Sequence, residues 1–279
     1  MLTGQNRILT LLTDFGLQDP YVGVMKGAIA QVNSQVTVID LTHQIPPHDI
    51  ASARFALMSA YPYFPAETVH VVVVDPGVGS SRRAIALAIG TDTTQPTGFL
   101  VGPDNGVLSG VWQQHLVLEA VELTNTDYWR TANPSTTFHG RDIFAPVAAH
   151  LASGVPLAAL GTTIAINTLH EVDIPARIYK KDLSQPATSI TGCIQAIDHF
   201  GNLITNIPAI DVLEKEWLAI VNGIALCGKQ TYSERHSGEL LALVGSHGWV
   251  EIAVNQGSAQ ATLKLTIGNS VQVLVQEQL

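Results

Sequence analysis

The sequence predicts an α/β protein in two parts. An amino-terminal, mostly parallel α/β sandwich domain is expected over residues 1–174, a linker over 175–187, and a smaller carboxyl-terminal β-barrel domain over 188–279. Three observations predict it. The run Val71-Val72-Val73-Val74 has no polar alternation, which suits a strand buried on both faces inside a parallel sheet. Around it, strand-like and helix-like segments alternate, as βαβ crossovers require. Beyond Ala187 the helical spacing stops, and short apolar stretches follow one another with Gly, Asn and Ser between them, the rhythm of a small barrel.

Residues 8–13 read as the first strand, closed by Asp14-Phe15-Gly16. Residues 21–32 place apolar side chains at spacings of three and four and predict a helix, with Asp19 near its amino end favouring the dipole. A second strand at 36–39 ends in Asp40 and completes a βαβ unit, for which a right-handed crossover is the rule. After Pro46-Pro47-His48 a second helix is expected over 49–61, with Ile50, Ala53, Leu57 and Ala60 on one face. The valine strand follows, then strands at 85–89 and 98–101 around a polar excursion at 91–97, and one at 116–123. A polar loop over 124–137 leads into Phe138-His139-Gly140-Arg141-Asp142 and a helix over 143–152. The linker is marked by Pro175, Lys180-Lys181 and Gln185-Pro186. In the barrel, strands are expected at 189–197, 203–207, 218–226, 240–244, 249–254, 261–267 and 271–275.

With 46% hydrophobic and 13% charged residues, the 279-residue chain has ample apolar material for these cores. A formal net charge of -9 disfavours nucleic acid and anionic membrane surfaces as partners, since both demand a basic face. A cationic or zwitterionic small ligand is easier to accommodate. Two cysteines, Cys193 and Cys227, fall short of a disulfide framework or a four-thiolate metal site and read as core thiols of a cytosolic protein. The first residues lack the order of a signal peptide, and no uninterrupted apolar run is long enough to cross a bilayer. The expectation is a soluble, cytoplasmic protein. Phosphate-cradling glycine motifs, a Walker lysine and a Gly-x-Ser-x-Gly elbow are all missing from the sequence. The ten histidines form no metal spacing such as His-Glu-x-x-His, so neither a metal nor a cofactor is expected.

Strand ends release Asp14, Asp40, Asp75 and the Asp104-Asn105 pair. Turns are rich in Asp for structural reasons, but the carboxyl edge of an open α/β sheet is also where ligands bind. Several carboxylates on one edge favour a polar pocket there. Asp75 precedes Pro76-Gly77-Val78-Gly79 and then Arg82 and Arg83, so it could be held ionised and orient a water or a substrate group. A turn-capping Asp beside two solvated arginines fits the same residues equally well. His139 precedes a helix whose unpaired N–H groups favour the neutral, proton-accepting imidazole. Beside an Asp and an Arg, that is equipment for activating a water; the structural alternative is a hydrogen-bonded loop residue. In the barrel, Asp198-His199-Phe200-Gly201-Asn202, Ser246-His247-Gly248-Trp249 and Asn255-Gln256-Gly257 serve as turns. As a site they offer a carboxylate for an ammonium, an aromatic face for a base and amides for its polar edge.

Taken in order over nearly the whole chain, these motifs resemble the S-adenosylmethionine hydroxide adenosyltransferases, relatives of the fluorinase and chlorinase enzymes. They are Thr13-Asp14-Phe15-Gly16 with Asp19, Asp40-Leu41-Thr42-His43, Val74-Asp75-Pro76-Gly77-Val78-Gly79, Gly102-Pro103-Asp104-Asn105-Gly106, Phe138-His139-Gly140-Arg141-Asp142, Asp198-His199-Phe200-Gly201-Asn202 and residues 246–257. The resemblance implies hydrolysis of S-adenosylmethionine (SAM) at ribose C5′ to adenosine and L-methionine. It also implies a homotrimer with SAM between one subunit's large domain and its neighbour's small one. Asp75, Arg82 and His139 match the family's water-activating Asp, Arg and His, and Arg82 is favoured over Arg83 by the family's spacing. Asp14 matches the carboxylate on the ribose hydroxyls. Asp19, Asp198 and Ser246 match groups at the methionine end; Phe200, Asn202 and Asn255 match the adenine pocket, and Tyr21 is counted among the substrate-binding positions. His247 and Val254 stand where the fluorinase has arginines. Halide-using relatives have other residues where Asp75 and His139 stand, which argues for water as nucleophile. The alternatives are a chlorinase-like, halide-using adenosyltransferase and a SAM- or adenosine-binding protein without turnover.

Overall fold

The structure is a computed structural model that describes residues 8–182 and 187–276, and the chain divides into two compact units after Val172. The first unit is built on seven strands: β1 (Ile8–Thr13), β2 (Thr37–Thr42), β3 (Thr68–Val73), β4 (Ala84–Gly90), β5 (Gly98–Pro103), β6 (Leu116–Glu122) and β7 (Thr162–Thr163). Their spatial order is β2-β1-β3-β5-β4-β6-β7. The first four of these run parallel, whereas β4 is antiparallel to both neighbours and β6 is antiparallel to β7. The polar excursion between β4 and β5 is too short for a helical crossover, so those two strands pair as a hairpin and the sheet is mixed at that end.

The valine strand is central and is buried on both faces. Val71 and Val73 join a cluster with α1 (Tyr21–Val32) and α4 (Ala145–Ala152), while Val72 and Val74 join a second cluster with α2 (Ile50–Ala60) and α3 (Ser109–Trp112). Fully burying each such side chain is worth about 1.5–3 kcal/mol, and residues 71–74 accordingly carry no polar alternation, while Thr68 and His70 earlier in the strand are buried as well. Asp49 caps α2, its Oδ1 accepting the Ser52 N–H at 2.9 Å. The helix expected over 143–152 begins as a π-helical turn, Gly140–Phe144, that runs into α4. Pro146 has no N–H to give back to the carbonyl of Asp142, and that carbonyl accepts the Arg130 N–H instead at 2.9 Å.

The second unit is a closed barrel of β9 (Ala187–Ile197), β10 (Leu203–Pro208), β11 (Trp217–Val221), β12 (Ile224–Lys229), β13 (Leu240–Val244), β14 (Trp249–Val254) and β15 (Ser270–Gln276). Closure comes from β9, which pairs with β15 along most of its length and with β10 at its end. Ile190, Ile194, Leu203, Ala242, Ile252 and Val273 fill the interior. A further strand, β8 (Ile178–Asp182), pairs with β9 inside the stretch read as a linker. Its Lys180-Lys181 pair hid the strand, and Gln185-Pro186 lies outside the described residues.

Two expected barrel strands take other forms. Residues 218–226 are a hairpin of β11 and β12, turning at Asn222 and Gly223 with φ of 50° and 76°. An Asn-Gly pair with both residues left-handed is the preferred two-residue hairpin turn. Residues 261–267 are not extended: α5 (Ala259–Leu263) occupies their start, capped by Ser258 Oγ accepting the Ala261 N–H at 3.0 Å and ended by Lys264 at φ 57°. Over so short a run, strand and helix spacing cannot be told apart, and the Ser cap decides.

Candidate active site

Asp75 emerges just past the end of β3 and Arg82 just before β4, so the turn between them folds the guanidinium back onto the carboxylate. Arg82 donates from Nε to Oδ1 at 3.0 Å and to Oδ2 at 3.1 Å, and from Nη2 to Oδ2 at 2.5 Å. Both side chains are buried, 5% and 10% exposed. The same Nη2 donates to Nδ1 of His139 at 2.7 Å. A guanidinium has no lone pair to offer, so Nδ1 must accept and the imidazole carries its proton on Nε2. Burial and then the Arg82 charge push the His139 pKa below its ordinary 6.5, against the opposing pull of Asp75 and Asp142. The imidazole is neutral, as its place before a helix implied, but desolvation and Arg82 supply the reason, and the nitrogen left over is a donor.

Three devices hold this group. Asn105 donates from Nδ2 to the Val74 carbonyl at 2.9 Å and accepts the Val107 N–H at 3.1 Å, fixing the strand end that presents Asp75. Gly79 has φ +78°, and a Cβ there would lie 2.3 Å from the carbonyl oxygen of Thr136, so the turn bearing Asp75 and Arg82 lies directly against the loop bearing His139. Asp142, fully buried, accepts from Arg130 Nε at 2.5 Å, from Arg141 Nε at 2.7 Å and Nη2 at 2.6 Å, and from the Ser135 N–H at 2.9 Å. Burial opposes its charge, yet those donors keep its carboxyl well below the usual carboxylate range. It thereby ties down the loop leading to His139. In the sequence Asp142 read only as part of a motif.

Asp75 and His139 open on a cleft of about 260 Å³ whose lining includes Asp14, Phe15, His48, Val78 and Phe138. Asp14, at the end of β1, accepts the backbone N–H of His48 at 2.8 Å, and His48 adopts a left-handed φ of 68° to give it. The remaining strand-end carboxylates serve the scaffold. Asp40 pairs with Lys26 at 2.7 Å and with His43 at 3.1 Å. Asp104, fully buried, takes Arg83 at 2.8 Å and 2.5 Å and the His170 N–H at 2.9 Å. The adjacent arginines are thus separated: Arg82 goes to Asp75, Arg83 to Asp104. Asp19 is exposed, and Tyr21 packs its ring against Phe15 and Phe138. Among the described residues no cluster of His, Cys, Asp and Glu could hold a metal ion, and no helix is long and apolar enough to cross a membrane.

The second unit has its own pocket of about 530 Å³, lined by Phe200, Asn202, Tyr232, Val254, Asn255, Gln256 and Gly257. Asp198 builds its rim: Oδ1 accepts the N–H groups of Phe200 at 2.9 Å and Asn202 at 2.8 Å, and Oδ2 accepts Asn202 Nδ2 at 2.8 Å. That turn leaves Phe200 73% exposed, an unusual place for a phenylalanine. Asn255 donates to the Arg235 carbonyl at 2.7 Å, and Ser246 is exposed. Tyr232, which sequence reasoning missed, donates at 2.7 Å to buried Glu251, which also accepts from His247 Nε2 at 3.0 Å. Glu251 sits inside an apolar strand pattern, a signal that could have exposed this network.

Residues 9–161 match the SAM hydroxide adenosyltransferase N-terminal domain, and residues 192–272 match the C-terminal domain of the same family. The chain belongs to the SAM hydroxide adenosyltransferase family. It is 41% identical to an (R)-S-adenosyl-L-methionine hydrolase of Salinispora tropica, covering 95% of this chain and 97% of that one. It is 38% identical to an (R)-S-adenosyl-L-methionine hydrolase of Thermus thermophilus, covering 96% and 100%. The fold matches the crystal structure of an uncharacterized conserved protein from Thermotoga maritima with a TM-score of 0.82 at 35% identity, covering 95% of this chain and 99% of that one. Within the family's two domains, Asp14, Asp75, Arg82 and His139 fall in the first matched segment, and Asp198, Phe200, Asn202, Ser246 and Asn255 fall in the second.

Proposed function

We propose that the protein hydrolyses S-adenosyl-L-methionine to adenosine and L-methionine, by attack of water at ribose C5′. The observation that carries the reading is the Arg82 guanidinium bonded at once to Asp75 and to Nδ1 of His139 at the wall of a cleft. A water there donates to the Asp75 carboxylate and accepts from the Nε2–H of His139, which leaves a lone pair for C5′. The O–C5′ bond forms as the C5′–S bond breaks, its electron pair remaining on sulfur as the thioether of methionine. The water's proton passes to Asp75 and then to solvent. Because the sulfonium is already a good leaving group, what the chain supplies is a positioned, partly desolvated oxygen, with Arg82 offsetting the charge that develops around it. A halide nucleophile would meet the Asp75 carboxylate, whose like charge opposes it, with Arg82 already engaged.

Asp14 takes the ribose hydroxyls, Asp19, Asp198 and Ser246 the methionine end, and Phe200, Asn202 and Asn255 the adenine, with Tyr21 among the substrate-binding positions. The site is completed in a homotrimer by a neighbouring subunit's second unit, and exposure of Phe200 supports a partner surface over it. Two unpaired thiols, Cys193 and Cys227, support a reducing, cytoplasmic setting.

The test is incubation of SAM with the protein in ¹⁸O-labelled water without halide, followed by mass spectrometry. Methionine and adenosine labelled at the 5′-hydroxyl are expected; unchanged SAM, or a 5′-chloronucleoside formed only when chloride is added, would overturn the reading. Asp75→Asn and His139→Ala should each lower turnover by at least about 100-fold. Mixing inactive Asp75→Asn subunits with inactive Phe200→Ala subunits should restore part of the activity if neighbours share a site.

A further inference from the structure

Phe15 and Tyr21, from one short stretch after β1, meet Phe138 from far along the chain beside the cleft. Their ring centroids are 5.8 Å apart for Phe15 and Tyr21, 5.8 Å for Phe15 and Phe138, and 5.3 Å for Tyr21 and Phe138, with interplanar angles of 60°, 77° and 87°. Rings at such angles form a corner rather than a stack. Phe15 and Phe138 line the cleft itself, alongside the carboxylates of Asp14 and Asp75, and Tyr21 backs them while remaining 46% exposed. Phe15 and Phe138 rest one side on the core of the first unit, yet all three rings are left partly open to solvent at a polar mouth, where packing alone asks for no aromatic face.

An aromatic face carries partial negative charge and attracts cations, most strongly those that are weakly hydrated. Phe138 already serves in this way within the protein, with the Arg141 guanidinium 5.2 Å from its centroid. A sulfonium is a compact cation clothed in alkyl groups, which suits rings better than it suits a salt bridge. For in-line attack it must lie beyond C5′ from the nucleophile, about 5 Å from the water oxygen at a near-attack separation of roughly 3–3.5 Å. The rings offered to it on the cleft wall are Phe15 and Phe138.

We propose that the corner of Phe15, Tyr21 and Phe138 recognises the positive charge of the substrate's sulfur and so selects the sulfonium over a neutral thioether. This inference rests on the hydrolase reading above. Since the sulfur loses its charge as C5′–S breaks, the corner holds the substrate more tightly than the transition state and releases the product; its loss raises KM and does not lower kcat. Arg141 weakens the pull of Phe138 on a second cation, so Phe15 carries the larger share.

The experiment compares two inhibitors of SAM hydrolysis: S-adenosylhomocysteine, neutral at sulfur, and sinefungin, which carries an ammonium in place of the sulfonium. The protein should prefer sinefungin at least fivefold, and Phe15→Leu should cut that preference by roughly 3- to 10-fold and raise KM for SAM without lowering kcat. Phe138→Leu should do so less, and Phe15→Tyr, which keeps a ring, should restore the preference. Should Phe15→Leu fail to fold, Tyr21→Leu at the exposed edge of the corner supplies the same ratio. A preference that is absent in the parent protein, or unchanged by loss of the rings, overturns the inference while leaving hydrolysis intact. Absence of hydrolysis in the parent protein overturns instead the reading on which it stands, and calorimetric affinities for the two inhibitors then still decide the charge preference.

Discussion

Arg82 Nη2 lies 2.7 Å from His139 Nδ1 while Arg82 Nε lies 3.0 Å from Asp75 Oδ1, so one guanidinium sets the tautomer of the imidazole and the orientation of the carboxylate together. The Nε2–H of His139 and the carboxylate oxygens of Asp75 form a donor and an acceptor, the complement of one water molecule.

The acid limb of activity follows from this pair. His139 titrates below 6.5 because burial and Arg82 disfavour its charged form. A protonated ring could no longer accept at Nδ1 and would place a second cation beside Arg82. Activity should therefore be full at neutral pH and fall as the pH drops through the lowered value. Following the His139 ring resonances by NMR checks this directly: Arg82→Gln, which removes one of the two causes, should move the titration upward toward 6.5. A titration midpoint above 6.5 in the parent protein would contradict it.

Neighbouring arginines should give opposite phenotypes. Arg82→Gln should cost at least about 100-fold in kcat with the fold retained, since it removes the group that orients both partners of the water. Arg83→Gln should leave kcat within a few-fold of the parent but destabilise the protein by about 2 kcal/mol, because buried Asp104 loses its cation and keeps only the His170 contacts. Steady-state kinetics and urea unfolding on both variants check the pair.

Gly79→Ala should disturb the site without touching a reacting atom. The left-handed φ of +78° costs an alanine about 1–2 kcal/mol, and its Cβ would lie 2.3 Å from the Thr136 oxygen, so the two loops must part. Separating them pulls His139 from Arg82. The expected outcome is a loss in kcat of at least tenfold together with a lowered melting temperature, and Gly223→Ala, which meets open space at a barrel hairpin, should leave kcat unchanged.

How much of this was legible in the sequence depended on the kind of signal. The valine strand declared itself because burial on both faces erases polar alternation, and Asp75 and Asp14 were marked by the turns that follow them. The sequence could not show which strand-end carboxylates face a cleft: Asp40 and Asp104 look alike in sequence, and only their partners Lys26 and Arg83 reveal them as scaffold. Aromatic residues far apart in the chain, such as Phe15 and Phe138, carry no local mark of their meeting. The Asn222-Gly223 turn is legible in the sequence, but its flanking strands are apolar enough to read as one. Glu251 and Tyr232 escaped because one lies within an apolar strand and the other in a loop, and each makes sense only beside the other.

Acid stability should report on the buried imidazole of His70. His70 is 1% exposed, shares a 2.9 Å hydrogen bond between Nδ1 and Thr10 Oγ1, and lies 5.1 Å from the Tyr61 ring and 5.4 Å from Phe64. Burial lowers its pKa to about 4. Unfolded, the same group binds its proton near 6.5, so between those values the unfolded chain holds more protons and stability rises with pH. The contribution is present in full above 6.5 and is lost as pH falls toward 4, an amount on the order of 3 kcal/mol. His70→Gln keeps a polar partner for Thr10 but cannot titrate. It should be less stable than the parent at pH 7, yet lose distinctly less stability between pH 6.5 and 4.5 in urea unfolding. Parallel pH profiles for the two proteins would show that His70 takes up its proton without opening the core.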